Sequence, residues 1–228
     1  MTREEFIDAL PELSKDYKIP AEAKERIGHI DLLMMVGGTG VGKTSIIKRL
    51  GIPFVVTDTT RPIRPSEING LDYFFRTDYE QLASEIKERK FVQVIVYPTG
   101  DFYGTRISAY PEVGYAVFAV VSSIVPEFRQ MGFNDTTTAF ITPPSFLDWM
   151  GRLDKSGLER NQLEKRLAEA HRSYEFALKD SETSFILNDE LDHAVQQTKM
   201  LLGGRHDTER EARGRKAAEE IFEKLSFA

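Results

Sequence analysis

The chain has no cysteine, which excludes disulfides, thiolate metal sites and cysteine nucleophiles and agrees with a reducing cytoplasm. It also lacks positive charge overall: 30 lysines and arginines stand against 36 aspartates and glutamates, a formal net charge of -6. That balance argues against broad attraction to nucleic acid or an anionic membrane, so any bound anion must be held by local clusters. No apolar run is long enough to span a bilayer, and the opening "MTREEFIDAL" is acidic and polar where a secretory signal would be basic and then apolar. A soluble cytoplasmic protein, without nucleic-acid or membrane partners, is expected. The histidines are few: His29, His171, His193 and His206 are scattered without ligand spacing and read as surface or cap residues. Internal repeats and low-complexity segments are absent too.

What is there suits a globular protein. Hydrophobic residues make up 41% and charged residues 29% of 228 residues, enough for one domain with a real core, with room for an insert and appended ends. Thr2 followed by Glu5 reads as a capping box, and Pro20 before "AEAKERIG" predicts a second short helix closed by Gly28. Residues 1–30 are therefore expected to form a helical leader. "DLLMMV" suits a buried strand, "KTSIIKRL" a helix, "PFVV" a strand, and "DYEQLASEIKERK" a helix capped by Thr77. "FVQVIVY", "YAVFAVV", "TTTAFI" and "SFIL" read as further strands. "IVPEFRQM", "PSFLDWMGRL", "LERNQLEKRLAEAHRSYEFALK" and "DELDHAVQQTKMLL" read as helices, with Trp149 and the phenylalanines in the core. The alternation predicts an α/β protein, a mostly parallel sheet flanked by helices. Gly203 and Gly204 are expected to end the domain, leaving 203–228 as a charged, solvated helical tail or a contact for a partner or second copy.

Gly37, four residues, Gly42, Lys43 and Thr44 match G-x-x-x-x-G-K-[ST] between a predicted strand and a predicted helix. In that context the backbone of Gly37, Gly38, Thr39, Gly40, Val41 and Gly42 can turn its N–H groups inward around a phosphate. Lys43 can reach β- and γ-oxygens, Thr44 can ligate Mg²⁺, and Ser45 lies in the first helical turn. A nucleoside triphosphate site follows.

A second anion site is suggested by "TTRPIRPSEINGLDYFF". Arg61 and Arg64 flank a proline-restrained link and could clamp a phosphate dianion, Glu67 could orient an arginine, and Tyr73 could donate to a phosphate oxygen. "GDFYGT" adds Tyr103 and Thr105 beside glycines that allow close ligand approach.

With "ITPPS", "EKRLAEA" and "LNDELDHA" following in order, the chain from the phosphate loop to about Leu202 resembles the guanylate kinases. The resemblance implies a P-loop kinase fold over 31–202, with an inserted β-rich acceptor-binding subdomain at about 57–105 and a mobile helical lid at about 151–166. It implies ATP with Mg²⁺ as donor and a nucleoside monophosphate, GMP first, as acceptor. By the same resemblance Arg61, Arg64, Tyr73 and Tyr103 would hold the acceptor's phosphate with Glu67 bracing them. Thr57, Gln93 and Thr105 would stand at base-contacting positions, and Asn188 and Asp189 beside the donor's adenine. Among Arg152, Lys155, Arg160 and Arg166, Arg152 and Arg166 match the lid arginines best and would join Lys43 in catalysis.

The chain departs from that pattern in the lid, where "DKSG" stands in place of an arginine between glycines, and at three base-recognition or acidic positions. Gln93 stands where the family carries glutamate, and Ala119 and Val121 replace an acidic pair. Guanine's adjacent N1–H and amine donors suit a carboxylate with two acceptor oxygens, whereas glutamine offers one. A kinase for another monophosphate, or a weakly active nucleotide-binding interaction module, are the alternative readings.

Overall fold

The structure is a computed structural model that describes residues 1–64, 67–96, 100–155 and 160–226. In chain order its regular elements are α1 (Arg3–Ser14), α2 (Ala21–Ile27), β1 (Ile30–Val36), α3 (Lys43–Leu50), β2 (Thr57–Thr59), β3 (Tyr73–Phe75), α4 (Tyr79–Lys87), β4 (Phe91–Val96) and β5 (Phe102–Arg106). There follow β6 (Gly114–Ala119), α5 (Val125–Gln130), β7 (Asp135–Thr142), α6 (Phe146–Asp154), α7 (Arg160–Lys179), β8 (Thr183–Leu187), α8 (Leu191–Leu202) and α9 (Thr208–Ser226). They fall into two compact units: Met1–Ile30, Pro53–Ala116 and Met131–Asn134 form the first, and Asp31–Ile52, Val117–Gln130 and Asp135–Ala228 the second.

The second unit is built on a sheet ordered β6-β1-β7-β8, in which β1 pairs with β7 and β7 with β8 in parallel. Leu32 to Val36 are all buried, the continuous apolar run of a strand covered on both faces. The C-terminal helix departs from the expected solvated tail. Ala217, Ala218, Ile221 and Leu225 are buried, and the backbone of β8 comes so near that a Cβ added at Gly214 would sit 3.4 Å from the Leu187 nitrogen. Its heavy charge hid a narrow stripe of small and aliphatic residues at helical spacing, and that stripe covers the sheet.

The first unit carries a sheet ordered β3-β2-β5-β4, with β2–β3 parallel and β2–β5 and β4–β5 antiparallel. The N-terminal helix belongs to its core: Phe6 and Leu10 pack with Leu82, Ile86, Phe91 and Phe102. The capping box at its start is present, Glu5 N–H donating to Thr2 Oγ1 (3.2 Å) and Thr2 N–H to the Glu5 carboxylate (2.7 Å). The apolar faces of α1 and α9 are thus buried within their own units.

Two local expectations are corrected. "PFVV" is not a regular strand, which begins only at Thr57, where Tyr73 and then Gly104 come into register; Pro53 has no N–H to offer a ladder. Helix α4 is capped by Asp78, not Thr77: its carboxylate accepts the Gln81 N–H at 2.9 Å, and its charge suits the positive end of the helix. The described helices include none long and apolar enough to cross a membrane.

Candidate functional site

The residues expected at the two anion sites lie on different units, and each set forms a coherent cluster. In the second unit, β1 delivers the chain into a turn that only glycine accepts. Gly37 has φ +139°, and a Cβ there would stand 2.6 Å from the Ile141 carbonyl oxygen. Gly42, at φ +101°, leaves a Cβ no room beside the Asn188 amide. Helix α3 begins directly after it with no side-chain cap, so its first-turn N–H groups are available to an anion.

Lys43 folds back over this turn, its ammonium donating to the carbonyls of Gly37 (2.6 Å) and Gly38 (2.9 Å). Burial pushes its pKa down to about 8; Glu169 opposes that shift and Arg166 adds to it. The lysine is thus folded over the glycine turn in a setting where burial outweighs the attraction of Glu169. Arg166 donates to Glu169 one turn along α7 at 2.9 Å. Thr44 and Ser45 are exposed in the first turn.

The loop is braced from behind. The Trp149 indole N–H donates to the Thr39 carbonyl at 2.8 Å, and the Asn188 amide donates to Val41 O at 2.7 Å. Arg152, expected as a lid arginine, instead points its guanidinium at the backbone, 2.8 Å from Asn188 O and 3.4 Å from Val41 O. Asn188 is buried and Asp189 is held by Arg210 of α9, which also donates to Leu187 O at 3.0 Å. Burial would raise the Asp189 pKa, but the Arg210 bond and backbone N–H groups outweigh it and hold it low. Of the two residues expected beside adenine, Asn188 braces the glycine turn through Val41 and Asp189 is tied to α9.

In the first unit, Arg61 is buried and engages Glu67 through both guanidinium arms at 2.7 and 2.6 Å. Its charge lies over the rings of Tyr73 (4.6 Å) and Phe75 (5.2 Å). Glu67 also accepts the Arg64 N–H at 2.9 Å, while the Arg64 side chain stays about half exposed at 48%. Tyr103 packs edge-on against Tyr73 at 6.3 Å. Burial raises the Tyr103 pKa against the pull of Arg61, so it is a neutral hydroxyl at physiological pH. Arg61, Arg64, Glu67, Tyr73 and Tyr103 are thus brought together as one cationic, hydroxyl-bearing cluster.

The three base-contacting candidates are differently placed. Thr57, Gln93 and Thr105 are all buried. Gln93 Oε1 accepts the Thr105 N–H at 3.2 Å across the β4–β5 irregularity, and the Thr105 hydroxyl pairs with Tyr110 Oη at 2.9 Å. Gln93 Oε1 and the Thr105 hydroxyl are thus engaged within this unit. Of the expected lid, residues 156–159 lie outside the described residues; Lys155 caps α6 and Arg160 forms an exposed pair with Glu164.

Sequence reasoning missed Trp149 as a loop brace, Glu169 as partner to Arg166, Phe75 as a wall for Arg61, and Arg210. Only the Arg166–Glu169 spacing of three residues was a readable signal.

Comparison with known proteins matches the guanylate kinase family model over residues 30–204. The guanylate kinase of Oceanobacillus iheyensis is 29% identical over 186 residues, covering 77% of this chain and 87% of that one. That of Mycoplasmoides gallisepticum is 28% identical over 184 residues, covering 75% and 91%. The crystal structure of guanylate kinase from Anaplasma phagocytophilum superposes with a TM-score of 0.57 at 19% identity, covering 85% of this chain and 95% of that one, a likeness of fold. Motifs, sheet order and family match agree, and the chain belongs to the guanylate kinase family.

Proposed function

We propose that the protein transfers the γ-phosphoryl group of ATP to the phosphate of GMP, giving ADP and GDP. The observation that carries this reading is the Arg61–Glu67 bidentate pair beside Tyr73 and Tyr103, a phosphate clamp in a chain that also holds a complete phosphate loop. An acceptor phosphate has a second pKa of about 6, so its oxygen is already a competent nucleophile and no general base is required. That fits a site without histidine. The acceptor oxygen forms a bond to the γ-phosphorus while the bond to the β–γ bridging oxygen breaks, and the electron pair leaves with ADP.

The protein's part is alignment and neutralisation. Loop N–H groups cradle the β-phosphate. Lys43, exchanging the Gly37 and Gly38 carbonyls for phosphate oxygens, meets the charge on the transferring group. Arg166 can exchange Glu169 for the same anion, while Arg152 keeps the loop in shape. Arg61 and Arg64 fix the acceptor, with the tyrosine hydroxyls donating to its remaining oxygens. The described residues include no cluster of three His, Cys, Asp or Glu side chains that could hold a metal, whereas the Thr44 hydroxyl is exposed and is a hard oxygen donor. Such a set fits Mg²⁺ arriving with the nucleotide, Thr44 being its protein ligand. Bound there, the ion would neutralise charge between the β- and γ-phosphates.

A second reading concerns the base. Because Gln93 Oε1 already accepts the Thr105 N–H and the Thr105 hydroxyl pairs with Tyr110, an acceptor other than GMP is the specific alternative. Coupled ADP-release assays over a panel of nucleoside monophosphates decide between them. Preference for GMP is expected; equal turnover with AMP or UMP would overturn the guanine assignment, and no turnover with any acceptor would overturn the kinase assignment.

A further inference from the structure

The acceptor sheet has a second face. Strand side chains alternate, so Thr57, Thr59, Tyr73, Tyr103 and Thr105 lie on the side of the phosphate clamp while Asp58, Phe74 and Arg106 lie on the other. The registers fix this: Asp58 is opposite Phe74 on β3 and Gly104 on β5. On that reverse face a cavity of about 520 Å³ opens, within the usual range for small-molecule sites.

Its polar wall is a compact charged network. Arg106 Nε donates to Asp58 Oδ2 at 2.6 Å and its Nη2 to Glu85 at 2.7 Å. Arg76 donates to Glu85 at 2.9 Å, and Gln81, one turn before on α4, donates to Glu85 at 3.2 Å. One atom is left over. Asp58 is 1% exposed and lines the cavity, yet its Oδ1 is buried without a hydrogen-bond partner among the described residues. An orphan acceptor of this kind normally costs about 1–3 kcal/mol. Burial pushes the Asp58 pKa up to about 7 against the attraction of Arg76, with repulsion from Glu85 adding to the rise.

The occupant can be read from the wall. Two arginines and two carboxylates roughly cancel, which disfavours a strongly charged ligand. An acceptor oxygen with guanidinium donors beside it matches a molecular edge that carries a donor next to an acceptor, as nucleobases do. Phe54 and Phe74, the latter 39% exposed, supply apolar walls on which a flat ring can lie. We propose that this reverse-face cavity is a second ligand site, distinct from the acceptor clamp, that takes an uncharged nitrogen heterocycle of the nucleobase or nucleoside class with one N–H donated to Asp58. The site does not depend on the kinase reading, since none of its side chains lies on the clamp face.

Adenosine, guanosine, cytidine and uridine, which lack the phosphates the other two sites require, are the probes. Each is titrated into the full chain by saturation-transfer NMR, with GMP present in excess. At least one should bind saturably with a Kd on the order of 1 mM or tighter. Asp58→Asn, which keeps the shape but can turn an amide donor toward the orphan position, should weaken that binding roughly tenfold. Phe74→Ala, at an exposed wall, tests the ring contact without touching the charged network and should weaken it by a similar factor. Failure of all four probes to saturate by about 10 mM would overturn the proposal. So would binding that excess GMP abolishes, or binding that Phe74→Ala leaves unchanged while the variant melts like the parent.

Discussion

Glu67 holds Arg61 by both carboxylate oxygens and, through one of them, also accepts the backbone N–H of Arg64. One carboxylate thus bonds both arginines of the proposed acceptor clamp. Burial would raise its pKa, but the bonds from Arg61 and Arg64 prevail and hold it below the usual value. Glu67→Gln is therefore expected to raise the KM for GMP roughly tenfold or more, with the KM for ATP unchanged. Steady-state kinetics with each substrate varied separately check it. The sign for pH follows: this pair contributes stability above the ordinary glutamate pKa of 4.5, and the contribution is lost as pH falls through the depressed value.

Lys43 carries a different pH signature. Its pKa is lowered to about 8, so near that pH part of the free protein holds it neutral, and a bound triphosphate restores the proton. Calorimetric titration of ATP at pH about 8, in two buffers of different ionisation enthalpy, should show net proton uptake that Lys43→Met removes. Without ligand, the unfolded chain holds this proton more tightly between about 8 and 10.5, so the group makes stability rise with pH across that window. Lys43→Ala should lower kcat by roughly 10²–10³ while leaving the KM for GMP nearly intact.

Trp149 is the sole tryptophan and its indole N–H is bonded to the phosphate loop. Tryptophan emission should therefore change on ATP binding and stay constant with GMP alone, read by fluorescence titration. Gly38→Ala should weaken ATP binding, because the added Cβ would stand 3.0 Å from the indole ring and 3.3 Å from the Ala170 Cβ.

Arg210 lies beyond the family match, which ends at residue 204, yet it ties Asp189 and Leu187 beside the Asn188–Val41 brace. Arg210→Ala should raise the KM for ATP severalfold, with the KM for GMP unmoved and partial rescue by Arg210→Lys. Loss of the pair should cost about 2 kcal/mol, a fall of roughly 4–8 °C in melting temperature.

The parts of this protein that were legible in its sequence are those where one residue type is physically required. Gly37 and Gly42 announce a turn that no side chain survives, and Leu32 to Val36 announce a strand covered on both sides. Arg61, Glu67, Tyr73 and Tyr103 were readable because two arginines at fixed spacing stand out in a chain of net negative charge and their turn residues restrain them. Arg152 and Asn188 were legible as polar residues near the nucleotide, but their direction was not: a guanidinium serves a phosphate or a carbonyl equally well, and only the position of Val41 decides. For Gln93 and Thr105 the sequence shows polar residue types but not the bonds of Gln93 Oε1 to the Thr105 N–H and of the Thr105 hydroxyl to Tyr110, which only the folded sheet brings about. The reverse-face cavity left no local trace, since Asp58, Arg76, Glu85 and Arg106 come from four separate elements.

The way α9 lies on β8 has a practical corollary for anyone expressing this protein. A fragment trimmed at residue 204, where the family match ends, would strip the cover from Phe185 and the strand around it, leaving a greasy sheet surface open to water. Such a fragment should precipitate, and a solubility tag placed after Ser226 is a sounder choice than any cut near Gly204.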